Sequence, residues 1–311
     1  MIKNFSINKI VVTSVSLFLL LLFYFFPSDN NLDIALEVTH ETKGEKEVVY
    51  LMDIDGYISK LETYISSLNL EDEIYKKINI LIEGDETLKN FIPLIPKGTK
   101  INSIKIENDK VTIDFSKEIL NVTKNNEEKM LEAIIFTLTQ TDEINEIYLK
   151  VDGKLFNELP NSKKIINYPL TRNYGINKEY DITNLNNITK TTVYFVKENE
   201  DFNYYVPVTK ISNTSSEKID IIIKELKSSV NYQSNLNSYL SNNLNLDDYE
   251  ITKDAINLIF NEYIFDDISE EKILEEVKYT ISQSILENYK VKEVIFSTKE
   301  KNNIETVSKL Y

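Results

Sequence analysis

The sequence predicts an α+β protein: an N-terminal transmembrane helix followed by two repeated small domains, each a sheet covered by helices. Three observations predict it. Ile10 to Phe26 is an uncharged apolar run, the rest of the chain repeats at an offset of 143–147 residues, and each copy alternates between period-two and helical apolar spacing.

The run over 10–26 holds 17 residues, enough for a helix of roughly 25 Å, near the lower limit for crossing a bilayer. Lys3 and Lys9 precede it and no acid occurs before Asp29, so residues 1–9 are expected in the cytoplasm and the remainder outside. The exit, Phe25-Phe26-Pro27-Ser28, lacks the small residues that signal cleavage needs, which favours a retained anchor. Residues 27–46 are polar and unpatterned, a short stalk.

The repeat is carried by matched segments. Glu127 to Leu131 reappears as Glu270 to Leu274, and Phe136 to Gln140 as Tyr279 to Gln283, at an offset of 143. Ile106, Ile113, Phe115 and Ile119 map onto Ile251, Leu258, Phe260 and Ile264 at 145, and Asn145 to Tyr148 onto Lys292 to Ile295 at 147. The domains are therefore placed at 47–153 and 191–300, with a connector over 154–190 and a tail over 301–311.

Within each copy the elements follow in order. Val48 to Met52 and Tyr57 to Leu61 flank Asp55-Gly56, a hairpin signal, and the second copy answers with Val193 to Val196 and Tyr204 to Val208. Pro207 cannot donate to a ladder, so its strand is expected at an edge. A helix follows, with Ile74, Ile78, Leu81 and Ile82 on one face, and Ile219, Ile222, Ile223 and Leu226 in the second copy. Ile104 and Ile106, then Asn108-Asp109, then Val111, Ile113 and Phe115 read as a half-buried hairpin. A second helix carries Leu131, Ile134, Ile135 and Leu138, matched by Leu274, Val277, Ile281 and Ile285. Glu127 and Glu128, and Glu270 and Glu271, are expected in the two first turns. Strands at Ile147–Val151 and Val294–Phe296 close the copies. In the connector Tyr168, Leu170, Tyr174 and Ile176 are too apolar for a free linker and are expected to pack, with Arg172 in an anchoring ion pair.

Composition narrows the chemistry. Fifty Asp+Glu against 35 Lys+Arg give a net charge of −15, which opposes nucleic acid. Cysteine is absent, which excludes disulfides, thiolate metal sites and lipid-modified cysteine; His40 is the only histidine, and Trp is absent. No metal, cofactor or catalytic residue is expected, and the acidic charge with no Trp speaks against a sugar platform.

Ile95 to Lys100, Val111 to Ser116, Phe136 to Thr139 and Val151 to Lys154 together resemble the GerM (sporulation and spore germination) domain. In the second copy Val193 to Phe195 and Tyr205 to Lys210 resemble that family's opening hairpin. The Pro96 to Thr99 turn finds no counterpart in Ser238 to Asn245, Asp114-Phe115-Ser116 becomes Ile259-Phe260-Asn261, and the closing Asp152-Gly153 is replaced by Ser297-Thr298. The resemblance implies a non-enzymatic, extracytoplasmic module similar to ring-building domains of envelope assemblies. It also implies envelope or sporulation membrane proteins, or a second copy, as partners.

Other motifs compete with that reading. Leu51 to Gly56 ends an apolar strand in Asp53-x-Asp55-Gly56, as in phosphatases whose first Asp is the nucleophile and second the general acid. An envelope hydrolase or phosphatase using Asp53 and Asp55 is thus the alternative. Tyr57 and a following strand, with Glu198 to Asp201 in the second copy, favour a plain turn. The stretch to Glu62 also mimics part of an EF-hand loop, but Leu51 holds the first ligand position. Acidic pairs at Glu71 to Glu73, Asp247-Asp248 and Asp266-Asp267 read as helix starts and solvated loops.

Overall fold

The computed structural model describes residues 44–184, 186–199, 202–228, 235–267 and 272–308. The expected anchor at 10–26, His40 and most of the stalk lie outside the described residues, as do Glu270 and Glu271. Among the described residues no helix is long and apolar enough to cross a membrane.

The first half opens with β1 (Glu45–Met52) and β2 (Ile58–Ile65), an antiparallel hairpin in which Gly56 takes φ 89°. Helix α1 (Leu70–Glu83) follows, capped by Asn69, whose side chain accepts from the Asp72 amide at 2.9 Å. Glu71, Asp72 and Glu73 occupy its first turn, and Ile74, Ile78, Leu81 and Ile82 its buried face. Next, β3 (Ile101–Glu107) and β4 (Lys110–Phe115) pair antiparallel, with Asn108 at φ 55° in the turn. Helix α2 (Glu127–Leu138) carries the chain to β5 (Glu146–Val151), which lies parallel to β4, and β6 (Lys154–Leu155) folds back antiparallel.

After β7 (Glu179–Asp181) the same order recurs: β8 (Ile188–Glu198), β9 (Asn203–Asn213), α3 (Lys218–Ser228), β10 (Leu246–Ile251), β11 (Ala255–Phe260), α4 (Glu275–Asn288) and β12 (Glu293–Thr298). β13 (Glu305–Ser308) answers β6 and lies within the expected tail.

The two opening hairpins leave their own halves. They join in one five-stranded sheet in which β1, β2 and β9 are neighbours, β8 pairs with β9, and β2 meets β9 at Lys60 opposite Tyr205. Each half keeps a private sheet, β3-β4-β5-β6 or β10-β11-β12-β13. One apolar cluster runs through both halves, and residues 45–311 form a single compact unit.

Four expectations change in register. Tyr50 donates its amide to Thr137 Oγ1, and Tyr194 its amide to Ser284 Oγ, so the last helices match at an offset of 147 rather than 143. The letters slide by one helical turn because four residues return nearly the same apolar face. Helix α4 therefore begins at Glu275, with Glu275 and Glu276 in its first turn instead of Glu270 and Glu271. The Pro96 to Thr99 turn does recur: Thr99 N donates to Pro96 O at 3.2 Å and Leu244 N to Ser241 O at 3.0 Å. Gly98 takes φ 85° there and Asn243 takes no positive φ, so one turn closes through two local geometries and its sequence signature vanishes. Ser297-Thr298 ends β12 and pairs in register with β11, so the counterpart of Asp152-Gly153 falls at Lys299-Glu300.

Pro207 also lies elsewhere than expected, since β9 is flanked by β8 on one side and by β2 and β7 on the other. Asn177, from the connector, explains how. Its side chain accepts from Ile58 N at 2.9 Å and donates to Ile58 O at 2.7 Å and Pro207 O at 2.8 Å, filling the gap between β2 and β9.

Candidate functional site

Asp53 directly follows β1 and is buried. One carboxylate oxygen accepts from the Tyr57 amide at 2.8 Å, which closes the turn. The other accepts from Lys197 Nζ at 2.8 Å and the Tyr204 hydroxyl at 3.0 Å, both from the second half. Asp55 accepts from the same ammonium, and Lys129 of α2 donates to Gly56 O at 2.7 Å. Burial alone would depress Lys197, but its hydrogen bonds to Asp53 and Asp55 hold its pKa above the ordinary lysine value. Burial and the Asp53 charge push the Tyr204 phenol up.

The Asp-x-Asp-Gly motif is thus a structural ion cluster joining the halves, with each oxygen of Asp53 engaged. The partial EF-hand set comes apart as well. Ile58 and Glu62 lie along β2, and Glu62 pairs with Lys46 at 2.6 Å. Among the described residues no three His, Asp or Glu side chains form a cation-sized group.

A second polar cluster joins the halves nearer their middle. Arg172 binds Glu287 through two nitrogens, at 2.7 and 2.6 Å, and donates to Thr139 Oγ1 at 3.1 Å and Phe136 O at 3.3 Å. Tyr194 donates to Glu287 at 3.1 Å, and Tyr50 to Gln140 Oε1 at 3.3 Å. Arg172 therefore anchors the connector, as expected, and also ties α2 to α4.

Between the halves, beside the Asp53 cluster, opens a cleft of about 760 Å³. Phe91 and Tyr204 wall it, with rings 5.0 Å apart and edge to face, and Asn90, Asn235 and Asn237 line it.

Backbone edges divide into covered and open. β1 is closed by Thr137 and by the Met52–Ile92 bridge. β8 is closed by Ser284, by Asn288 and by the Val196–Asn237 bridge. β3 and β10 each end a private sheet on one side, as the shorter β6 and β13 do on the other, and among the described residues no strand pairs the far edges of β3 and β10. The acidic pairs prove ordinary: Glu71 to Glu73 start α1, while Asp247 and Asp248 lie on exposed β10.

Residues 48–156 match the family model described as Germane, sporulation and spore germination. The spore germination protein GerM of Bacillus subtilis is 32% identical over 268 residues, covering 82% of this chain and 72% of that protein. The chain belongs to the GerM family. The solved tandem GerMN domains of the sporulation protein GerM from Bacillus subtilis superpose with a TM-score of 0.76 at 28% identity, covering 85% of this chain and 96% of that one. The sheet-rich α+β tandem is therefore the family's own architecture.

The sequence reading missed Lys197 and Glu287. A signal for Lys197 exists: Asp53 and Lys197 directly follow equivalent apolar runs at an offset of 144, and two buried opposite charges at repeat-equivalent positions need each other.

Proposed function

We propose that this GerM-family chain is a non-enzymatic, membrane-anchored, extracytoplasmic module. It binds other proteins of a bacterial cell-envelope or sporulation and germination assembly, or a second copy of itself. Residues 10–26 hold it in the membrane with the N-terminus cytoplasmic. The observation that carries this reading is the contrast between edges. The long outer strands of the shared sheet, β1 and β8, are capped by side chains of α2 and α4, whereas β3 and β10 leave backbone donors and acceptors for an added strand. The family membership and the fully engaged carboxylate of Asp53 support it, since a nucleophile needs a free oxygen facing its substrate.

Crosslinking in intact membranes, from photoreactive residues placed at Lys105 on β3 and Glu250 on β10, tests the reading. Recovery of a defined envelope protein, or of a dimer, from either edge supports it. Failure of both edges to give any adduct, together with a phosphatase or hydrolase activity lost in Asp55→Asn, would replace it with the enzyme.

A further inference from the structure

From the cleft beside the Asp53 cluster we infer a binding site for a neutral, polyhydroxylated ligand, a short oligosaccharide of pyranose rings. The cleft is independent of the strand edges invoked above, and at about 760 Å³ it falls within the range of small-molecule sites. Its lining decides the ligand class.

A lipid or other apolar ligand would find carboxylates, lysines and amides around most of the wall. A polyanion would meet Asp53, Asp55 and Glu198 against Lys89 and Lys197, and Lys197 is already held by two carboxylates. A cation would find Asp53 with both oxygens occupied. What stays on offer is one exposed charge of each sign, Lys89 and Asp55, and a set of neutral amides. Asn90, Asn235 and Asn237 are exposed and make no side-chain hydrogen bond among the described residues, so each presents a donor and an acceptor together. Adjacent hydroxyls of a sugar, each both donor and acceptor, match such amides.

The apolar part fits the same ligand. Phe91 and Tyr204, each 6% exposed, form the wall, and Phe202, 40% exposed and beside the lining, continues the aromatic cluster outward with its ring 6.2 Å from Phe91 and 6.4 Å from Tyr204. The C–H face of a pyranose can lie on the exposed Phe202 ring, over a smaller area than an indole would give. Asp55, 49% exposed and held by Lys197 alone, is the charged acceptor at the rim.

The test is saturation-transfer NMR on the full-length chain, in a detergent without a sugar head group, with di-N-acetylchitobiose and with cellobiose. Saturable transfer is expected from at least one disaccharide, weakened about tenfold in both Asn90→Ala and Asp55→Asn. Asn90 is exposed and outside the ion cluster, so Asn90→Ala should melt with the parent and keeps the test valid if Asp55→Asn loosens the fold. No saturable transfer from either sugar, or binding unchanged in Asn90→Ala, overturns the inference.

Discussion

The hydroxyls of Tyr50 and Tyr194 lie 3.4 Å apart, and the two residues occupy the same position in the two halves. Asp53 against Lys197 is also a repeat-equivalent pair, at an offset of 144, and Ser59 and Val206, equivalent at an offset of 147, lie next to the Lys60–Tyr205 bridge between β2 and β9. Two such meetings, with the β2–β9 bridge between them, mean that the halves pack about a pseudo-two-fold axis. The symmetry breaks where charge would accumulate. Tyr50 bonds to neutral Gln140, whereas Tyr194 bonds to Glu287, and Arg172 neutralises that one carboxylate. Arg172→Ala should therefore cost about 3–5 kcal/mol, because Glu287 is left buried and unpaired. Adding Glu287→Gln, which copies the other half's solution, should recover at least half of the loss. A urea-unfolding double-mutant cycle measures both.

The Asp53 cluster makes a parallel prediction. Lys197→Met leaves buried Asp53 beside Asp55 with no cation, at a cost of about 3 kcal/mol. Asp53→Asn in that background should restore most of it, since the amide oxygen still accepts from Tyr57 N and the amide NH2 can donate to the Tyr204 hydroxyl oxygen. Thermal melts of the single and double variants decide the matter: a Lys197→Met protein as stable as the parent would mean that the cluster does not join the halves.

Much of this fold was legible in the letters, and the parts that were not share one physical cause. Period-two runs at Ile104 to Phe115 and the helical stripe at Ile74 to Ile82 report burial directly, so those elements appear where expected. Register along the second helix did not, because a slip of four residues in an amphipathic helix preserves its face; only the Thr137 and Ser284 bonds to strand amides fix it. Pairing between halves was invisible too. The hairpins read as self-contained, and nothing local in Lys60 or Tyr205 announces a shared sheet. Arg172 was legible as an ion pair, but its partner lies 115 residues away and had no pattern to mark it.

Asn177 carries a third prediction. Its side-chain amide makes three backbone hydrogen bonds between β2 and β9, where Pro207 supplies no N–H. Asn177→Ala should cost about 2–3 kcal/mol from the groups left unpaired. Asn177→Asp should cost more, since a carboxylate would face the carbonyls of Ile58 and Pro207. Hydrogen exchange should place the damage first at the Ile58 amide, before any other amide of the sheet loosens.

Lys60 yields the pH prediction. It lies between the halves, its ammonium 2.9 Å from Gln283 Oε1 and over the rings of Tyr194 and Tyr279, with no carboxylate in direct contact among the described residues. Burial, reinforced by the Arg172 charge, pushes its pKa down to about 8 against the opposing influence of Glu287 and Glu62. In the unfolded chain the group titrates near 10.5. Between those values the unfolded state binds more protons, so this residue's contribution makes stability rise with pH from about 8 towards 10.5, and its penalty is full below 8. Tyr194 and Tyr279 act the other way. Burial raises both phenols well above 10, so their contribution to stability falls as pH climbs past the unfolded tyrosine value. The difference between parent and Lys60→Met isolates the lysine. Lys60→Met should melt higher at pH 7, by roughly 2–4 °C for each kcal/mol relieved, and the gap should close between pH 8 and 10.5. A gap that is constant across that range would show that Lys60 stays charged in the folded protein up to its ordinary pKa.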